Sequence, residues 1–107
     1  MSKDYEIGSG NVFDDLGLAD AEQLATKAGL IGAIMRTIQE RGLTQVEAAR
    51  IAKIPQPRLS NLLRGKIEGV TTEKLMKAVA LLGGHVRIVV DEHPEPEAAG
   101  KVELEVA

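Results

Sequence analysis

There is no cysteine and no tryptophan among the 107 residues of this chain, and Tyr5 and Phe13 are its only aromatic side chains. Without cysteine there are no disulfides and no Cys-based metal sites, and a cytoplasmic location is the default expectation. Without aromatics there are no stacking platforms for single-stranded nucleic acid. His85 and His93 have no companions at metal-ligand spacing, so they are expected to be solvated or capping, and neither metal nor cofactor is expected. Asp14 and Asp15 are adjacent, and adjacent carboxylates do not converge. No set of nucleophile, base and orienter is visible, which argues against an enzyme. The longest apolar stretch, "GLIGAIM", falls far short of the roughly 18 residues a membrane span needs. "MSKDYEIGSG" has no apolar signal core. The glycines Gly8 and Gly10 do not open a dinucleotide loop, because Phe13 stands where the third glycine belongs and no strand precedes them.

What is there is enough apolar content (44%) for one small folded domain. The charge is unevenly placed. The formal net charge is −3. Residues 1–35 carry two basic and six acidic side chains, residues 36–77 nine basic and four acidic, and residues 78–107 two basic and six acidic. A basic centre between two acidic ends is a distribution that suits a polyanionic partner in spite of the overall sign.

Residues 1–19 read as an arm whose Phe13, Leu16 and Leu18 could dock on the body. A first helix is expected from Asp20 as N-cap, with Gln23 three residues on as its capping-box partner. Its apolar stripe is Leu24, Ala28, Ile31, Met35 and Ile38. Gly29 and Gly32 weaken it by about 1 kcal/mol each and make a bend or break possible, and Gly42 is its stop. "LTQVEAARIA" opens with a reciprocal capping box, Thr44 at N-cap and Glu47 at N3, and its Ala48, Ala49 and Ala52 let another helix approach closely. The next helix covers about Gln56 to Leu63 or Arg64, with Leu59, Leu62 and Leu63 turned to the core and Gly65 as its end. A proline in the first helical turn sacrifices no helical hydrogen bond. One frame has Gln56 as the last non-helical residue and Pro57 at N1, which is favoured because Pro57 disfavours a helical Gln56. The other has Pro55 as N-cap and Pro57 at N2. "TTEKLMKAVALLGG" is a fourth helix, capped by Thr71 or Thr72 and facing inward with Leu75, Val79 and Leu82. A β-strand is expected over 84–91, within "GHVRIVVDE". Residues 92–107 form an acidic tail in which Val102, Leu104 and Val106 alternate with glutamates, either a second strand or disordered.

Two short helices joined by a tight turn, inside a four-helix run, describe a helix-turn-helix. In such a unit the second helix enters the major groove of double-stranded DNA and presents its N-terminal side chains to base edges. Gln56, Arg58 and Asn61 are the candidate readers, because Arg pairs with guanine and Gln or Asn with adenine. Arg64 and Lys66 are suited to phosphates, and Ser60 to a phosphate or to packing. Thr44, Gln45 and the N-terminus of their helix can meet the backbone, with Pro57 at the tip of the reading helix. A lone strand must find a partner. Residues 101–106 could supply it, or the same strand of a second subunit could, with Val86, Ile88 and Val90 at a twofold dimer interface.

The stretch "LTQVEAARIAKIPQPRLSNLLRGK" resembles the helix-turn-helix of the Cro/cI (XRE) family of bacterial and phage regulators. Residues 20–91 resemble its HigA-type antitoxin branch, in which a "Q-P-R-x-S-x-L-L-R-G-K" run forms the recognition helix. Here the run is Gln56-Pro57-Arg58-Leu59-Ser60-Asn61-Leu62-Leu63-Arg64-Gly65-Lys66. The resemblance implies a mainly α, four- to five-helix, lambda-repressor-like domain over 20–91 with a terminal strand. It further implies operator binding as a homodimer, repression, and, for antitoxin members, neutralisation of a ribonuclease toxin. A stand-alone phage-like or metabolic repressor, or a mainly toxin-binding interaction protein, would be the alternatives. Two positions depart from the family pattern. Lys53 stands where the turn usually has glycine, and Pro55 where a serine usually caps the reading helix.

Overall fold

The computed structural model describes residues 20–92 and 99–106. The arm 1–19, with the docking expected of Phe13, Leu16 and Leu18, and His93 in the linker lie outside the described residues. Four helices are described: α1 (Asp20–Arg41), α2 (Gln45–Ala52), α3 (Gln56–Leu63) and α4 (Thr72–Leu81).

Helix α1 runs unbroken for 22 residues, through both Gly29 and Gly32. Its buried residues on either side of the glycines, Leu30, Ile31, Ile34 and Ile38, anchor it against the rest of the core. That packing outweighs the propensity cost of the two glycines, about 1 kcal/mol each. Asp20 is itself helical rather than the N-cap ahead of the helix. The buried face is also rotated from the one expected. Ile31 and Ile38 are buried, but Leu24 is 52% exposed, Ala28 is exposed and Met35 half-buried. The inward line runs Thr26, Leu30, Ile34, Ile38. Both lines have three- and four-residue spacing, so periodicity alone does not choose between them. Thr26 is tolerated inside because its hydroxyl donates to the Glu22 carbonyl, 3.0 Å away.

α1 packs chiefly on α4, and α2 packs on α3 and α4. The shared core adds Ala48, Ala49, Ala52, Ile54, Leu59, Leu62, Val70, Leu75, Ala78, Val79 and Leu82. The small alanines of α2 allow α3 its close approach, as expected. Arg41 at the end of α1 donates to the Leu82 carbonyl at 2.8 Å, tying the C-termini of the two long helices together. Thr71 caps α4, its hydroxyl accepting from the Lys74 N–H at 3.0 Å. The neighbouring Thr72 hydroxyl is buried without a partner.

All four helices end in the same way. The N–H two or three residues past the helix reaches back five residues: Leu43 to Ile38, Ile54 to Ala49, Lys66 to Asn61 and Gly84 to Val79, at 2.9 to 3.0 Å. The residue before each makes the shorter companion bond, which is the Schellman arrangement. It needs a left-handed residue, supplied by Gly42, Gly65 and Gly83 in three cases and by Lys53 (φ 59°, ψ 42°) after α2.

The expected C-terminal strand is not formed. Residues 84–92 and 101–106 are without strand pairing, and no strand occurs among the described residues. The β-branched run is present, but an isolated extended segment has no backbone partner for its N–H and C=O groups. The two candidate strands do not meet. Instead Leu104 lies over Gly29 of α1, and the Val102 N–H donates to the Glu22 carboxylate at 3.3 Å.

Candidate nucleic-acid interface

The turn between α2 and α3 sets the geometry of this region. Thr44 is the N-cap of α2, its hydroxyl accepting from the Glu47 N–H at 3.1 Å while the Glu47 carboxylate accepts from the Thr44 N–H at 2.9 Å. Hydrogen bonding donated to the carboxylate by Thr44, from its backbone N–H first and its hydroxyl second, holds the Glu47 carboxyl below its ordinary pKa, with Arg50 adding a smaller push in the same direction. α2 lasts eight residues, and the Schellman turn at Lys53 then swings the chain into α3.

The start of α3 follows the second of the two frames. The first helical bond runs from the Leu59 N–H to the Pro55 carbonyl at 2.9 Å, so Pro55 is the N-cap, Gln56 is N1 and Pro57 is N2. The steric penalty Pro57 places on a helical Gln56 is real but local. Burial of Ile54, Leu59 and Leu62 holds the helix in this register. Pro55 has no side-chain acceptor for a cap. The prolines act by subtraction: at N-cap and N2 they remove two donors that a helix start leaves unpaired.

Leu59 and Leu62 are buried and Leu63 is half-buried, which turns the opposite side of α3 outward. Gln56, Pro57 and Arg64 are exposed there, with Ser60 and Asn61 partly so. Thr44, Gln45 and Val46 at the start of α2 and Lys66 just beyond α3 are exposed as well. The sequence-derived candidates therefore share one region, but five of them, Gln45, Gln56, Ser60, Asn61 and Arg64, are engaged with one another. The Gln56 side-chain amide donates from Nε2 to Gln45 Oε1 at 3.0 Å, bridging the starts of the two helices. The Arg64 guanidinium straddles Ser60 Oγ at 2.7 Å and Asn61 Oδ1 at 2.6 Å. Arg58 leans away from this group. It donates to the Glu68 carbonyl at 2.9 Å and lies against Gly69, so it braces the loop between α3 and α4. Nothing in the residue spacing announces that brace, because its partner is a backbone carbonyl ten positions on. Ile54, Pro55, Leu62 and Val70 floor a shallow groove of about 340 Å³ beside it, with Arg58 and Lys74 at its edge.

Among the positions expected at a dimer interface, Val86 is half-buried against the core. Ile88 and Val90 are 76% and 73% exposed, as is Val89 at 78%. Among the described residues no three His, Asp or Glu side chains converge as a metal site. No described helix is long and apolar enough to cross a membrane.

Comparison with known proteins agrees with this geometry. Residues 12–91 match a family described as a helix-turn-helix domain. No curated protein matches the chain. A solved structure provisionally named an XRE family transcriptional regulator aligns with a TM-score of 0.73 at 35% identity, over 83% of this chain and 100% of that one. With both the family pattern and that structure spanning the four-helix body, the chain belongs to the XRE helix-turn-helix family.

Proposed function

We propose that this protein is a sequence-specific double-stranded-DNA-binding transcriptional regulator, acting as a repressor in the cytoplasm rather than as an enzyme. The observation that carries this reading is the exposed polar face of α3, held at a fixed angle to α2 by the Lys53 turn and lying within the basic 36–77 segment. α3 enters the major groove, and Gln56, Arg58 and Asn61 are its candidate base readers. Thr44, Gln45, Pro57, Ser60, Arg64 and Lys66 border the DNA, where lysine and arginine meet phosphates. A mobility-shift assay on the DNA upstream of its own gene tests this. A retarded band that survives excess random duplex supports the reading; equal competition by any duplex refutes it.

The finer role we propose is that of an antitoxin repressing its own operon, supported by the "QPR" run shared with the HigA-type branch. A ribonuclease toxin is then a second partner, and failure of any such protein to co-purify from the host counts against it. A homodimer is proposed as the binding form. Its support is the exposed Ile88, Val89 and Val90, apolar on a segment without strand pairing. Antiparallel pairing of that segment between two copies would cover it and place two α3 helices over half-sites about 34 Å apart. Sedimentation at micromolar concentration that finds only monomer refutes it.

A further inference from the structure

We infer that Arg64 is a positioning residue that restricts Asn61 to donating hydrogen bonds, so that Asn61 selects guanine or thymine over adenine and cytosine. The inference rests on the DNA-binding reading above and specifies one position within it. Arginine has only donors. The Asn61 amide atom facing the guanidinium at 2.6 Å must therefore be the oxygen, whichever way the amide is drawn. The same guanidinium is fixed from its other arm by Ser60 Oγ at 2.7 Å, so the fork is held at two points. All three residues lie within five positions at the C-terminal end of α3, Arg64 being its C-cap one helical turn from Ser60, on the side opposite Leu59 and Leu62.

The chemical consequence follows from what each base shows in the major groove. A free asparagine amide reads adenine by accepting from N6 and donating to N7. In Asn61 the remaining lone pair of the oxygen lies beside a cation, and a base N–H approaching it would meet that positive charge. The Nδ2 hydrogens are not used by Arg64. They suit O6 and N7 of guanine or O4 of thymine, and they repel the N4 amino group of cytosine. Arg64 thereby acts on base choice through Asn61, without touching a base itself.

The test is selection from a pool of duplexes with about 20 randomised base pairs, enough for two half-sites, using the full chain and its Arg64→Met and Asn61→Asp variants. The unaltered protein should enrich one motif containing a guanine or thymine that responds to substitution at residue 61. Arg64→Met frees the amide oxygen, and adenine should rise at that base pair on the order of tenfold, with the other positions unchanged. Asn61→Asp keeps an acceptor for Arg64 but offers no donor, and the preference should move to cytosine. Each variant is first checked for an unaltered helical spectrum. If Arg64→Met does not fold, the base enriched by the unaltered protein at the position that Asn61→Asp changes decides: guanine or thymine supports the inference, adenine overturns it. An enriched motif that Arg64→Met leaves unchanged, with binding weakened evenly, makes Arg64 a phosphate contact only, with no hold on base choice, and overturns the inference while DNA binding stands. Enrichment of adenine by the unaltered protein at the residue-61 position overturns it as well. No enriched motif at all overturns the DNA-binding reading itself.

Discussion

Lys53→Gly should make the protein more stable. Lys53 is the one non-glycine residue with positive φ among those described, at the same Schellman position that Gly42, Gly65 and Gly83 occupy after the other helices. A side chain in the left-handed region costs roughly 1–2 kcal/mol. Glycine removes that strain but returns about 0.5–1 kcal/mol through the greater freedom of its unfolded chain. The net gain is about 0.5–1 kcal/mol, or about 2–8 °C in melting temperature for a domain of this size. Lys53 also carries a charge near the C-terminus of α2, where a cation is favourable. Lys53→Ala separates the two effects, because alanine loses the charge and keeps the strain. Gly42→Lys is the mirror experiment. Gly42 has φ 65° and open space where a Cβ would stand, so the substitution adds backbone strain with no clash. Urea melts of the four proteins, followed by circular dichroism, give the comparison. Lys53→Gly should exceed Lys53→Ala in midpoint, and Gly42→Lys should fall below the parent. Equal midpoints for the Gly and Ala variants would refute the claim that backbone conformation at this turn limits stability.

Other substitutions test other links. Thr44→Ala removes the α2 cap and should destabilise by about 0.5–2 kcal/mol in the same urea melts. The Glu47 carboxyl has a lowered pKa in the folded state, so its contribution is present above its unfolded pKa and is lost as pH falls through the lowered folded value. Glu47→Gln should flatten that part of the stability–pH curve on the acid side of the usual carboxylate range, and an unchanged curve would show the cap contributes no linkage. Gly29→Ala places a methyl group against the Leu104 side chain, a flexible neighbour. It should stabilise α1 by up to about 1 kcal/mol and raise amide exchange at Val102; retained protection there would mean Leu104 does not hold the segment down. Arg58→Ala removes the bond to the Glu68 carbonyl. Amide exchange should quicken across 65–70, and a loop that stays protected would refute its role as a brace.

Much of the body was legible because its signals are local. The Thr44–Glu47 box and the glycine stops each depend on a few neighbouring residues, and each is where the sequence puts it; the prolines do mark the start of α3, but in the less favoured of the two frames, one residue earlier. The misreadings are of a different physical kind. Leu24 and Leu30 fit equally good helical stripes, and only the position of α4 decides which is buried. The strand over 84–91 has the composition of a strand but needs a partner that sequence cannot supply, and the expected pairing with 101–106 lost to contacts with α1 at Glu22 and Gly29. The candidate site was legible as a set of residue types. Its internal bonding was not, because Arg58 answers to a carbonyl ten positions away and Arg64 to two side chains at once.

The prolines divide the work between the two helices of the motif. At the start of α2 the Thr44 and Glu47 N–H groups are satisfied by the capping box, leaving the Gln45 and Val46 N–H groups as first-turn donors at an exposed end. Two adjacent backbone donors at a helix N-terminus suit a phosphate oxygen. At the start of α3, Pro55 and Pro57 have deleted two of the four donors, and those left, on Gln56 and Arg58, are not adjacent. α3 is therefore a poor phosphate cradle by its backbone, and the DNA contacts proposed for it fall to its side chains. The Gln45–Gln56 bond joins the two ends, so a phosphate held at α2 would also fix the amide at the tip of α3. On the proposed DNA-binding reading, α2 would supply the register and α3 the discrimination. A tight and correctly angled turn at Lys53 is what makes one depend on the other.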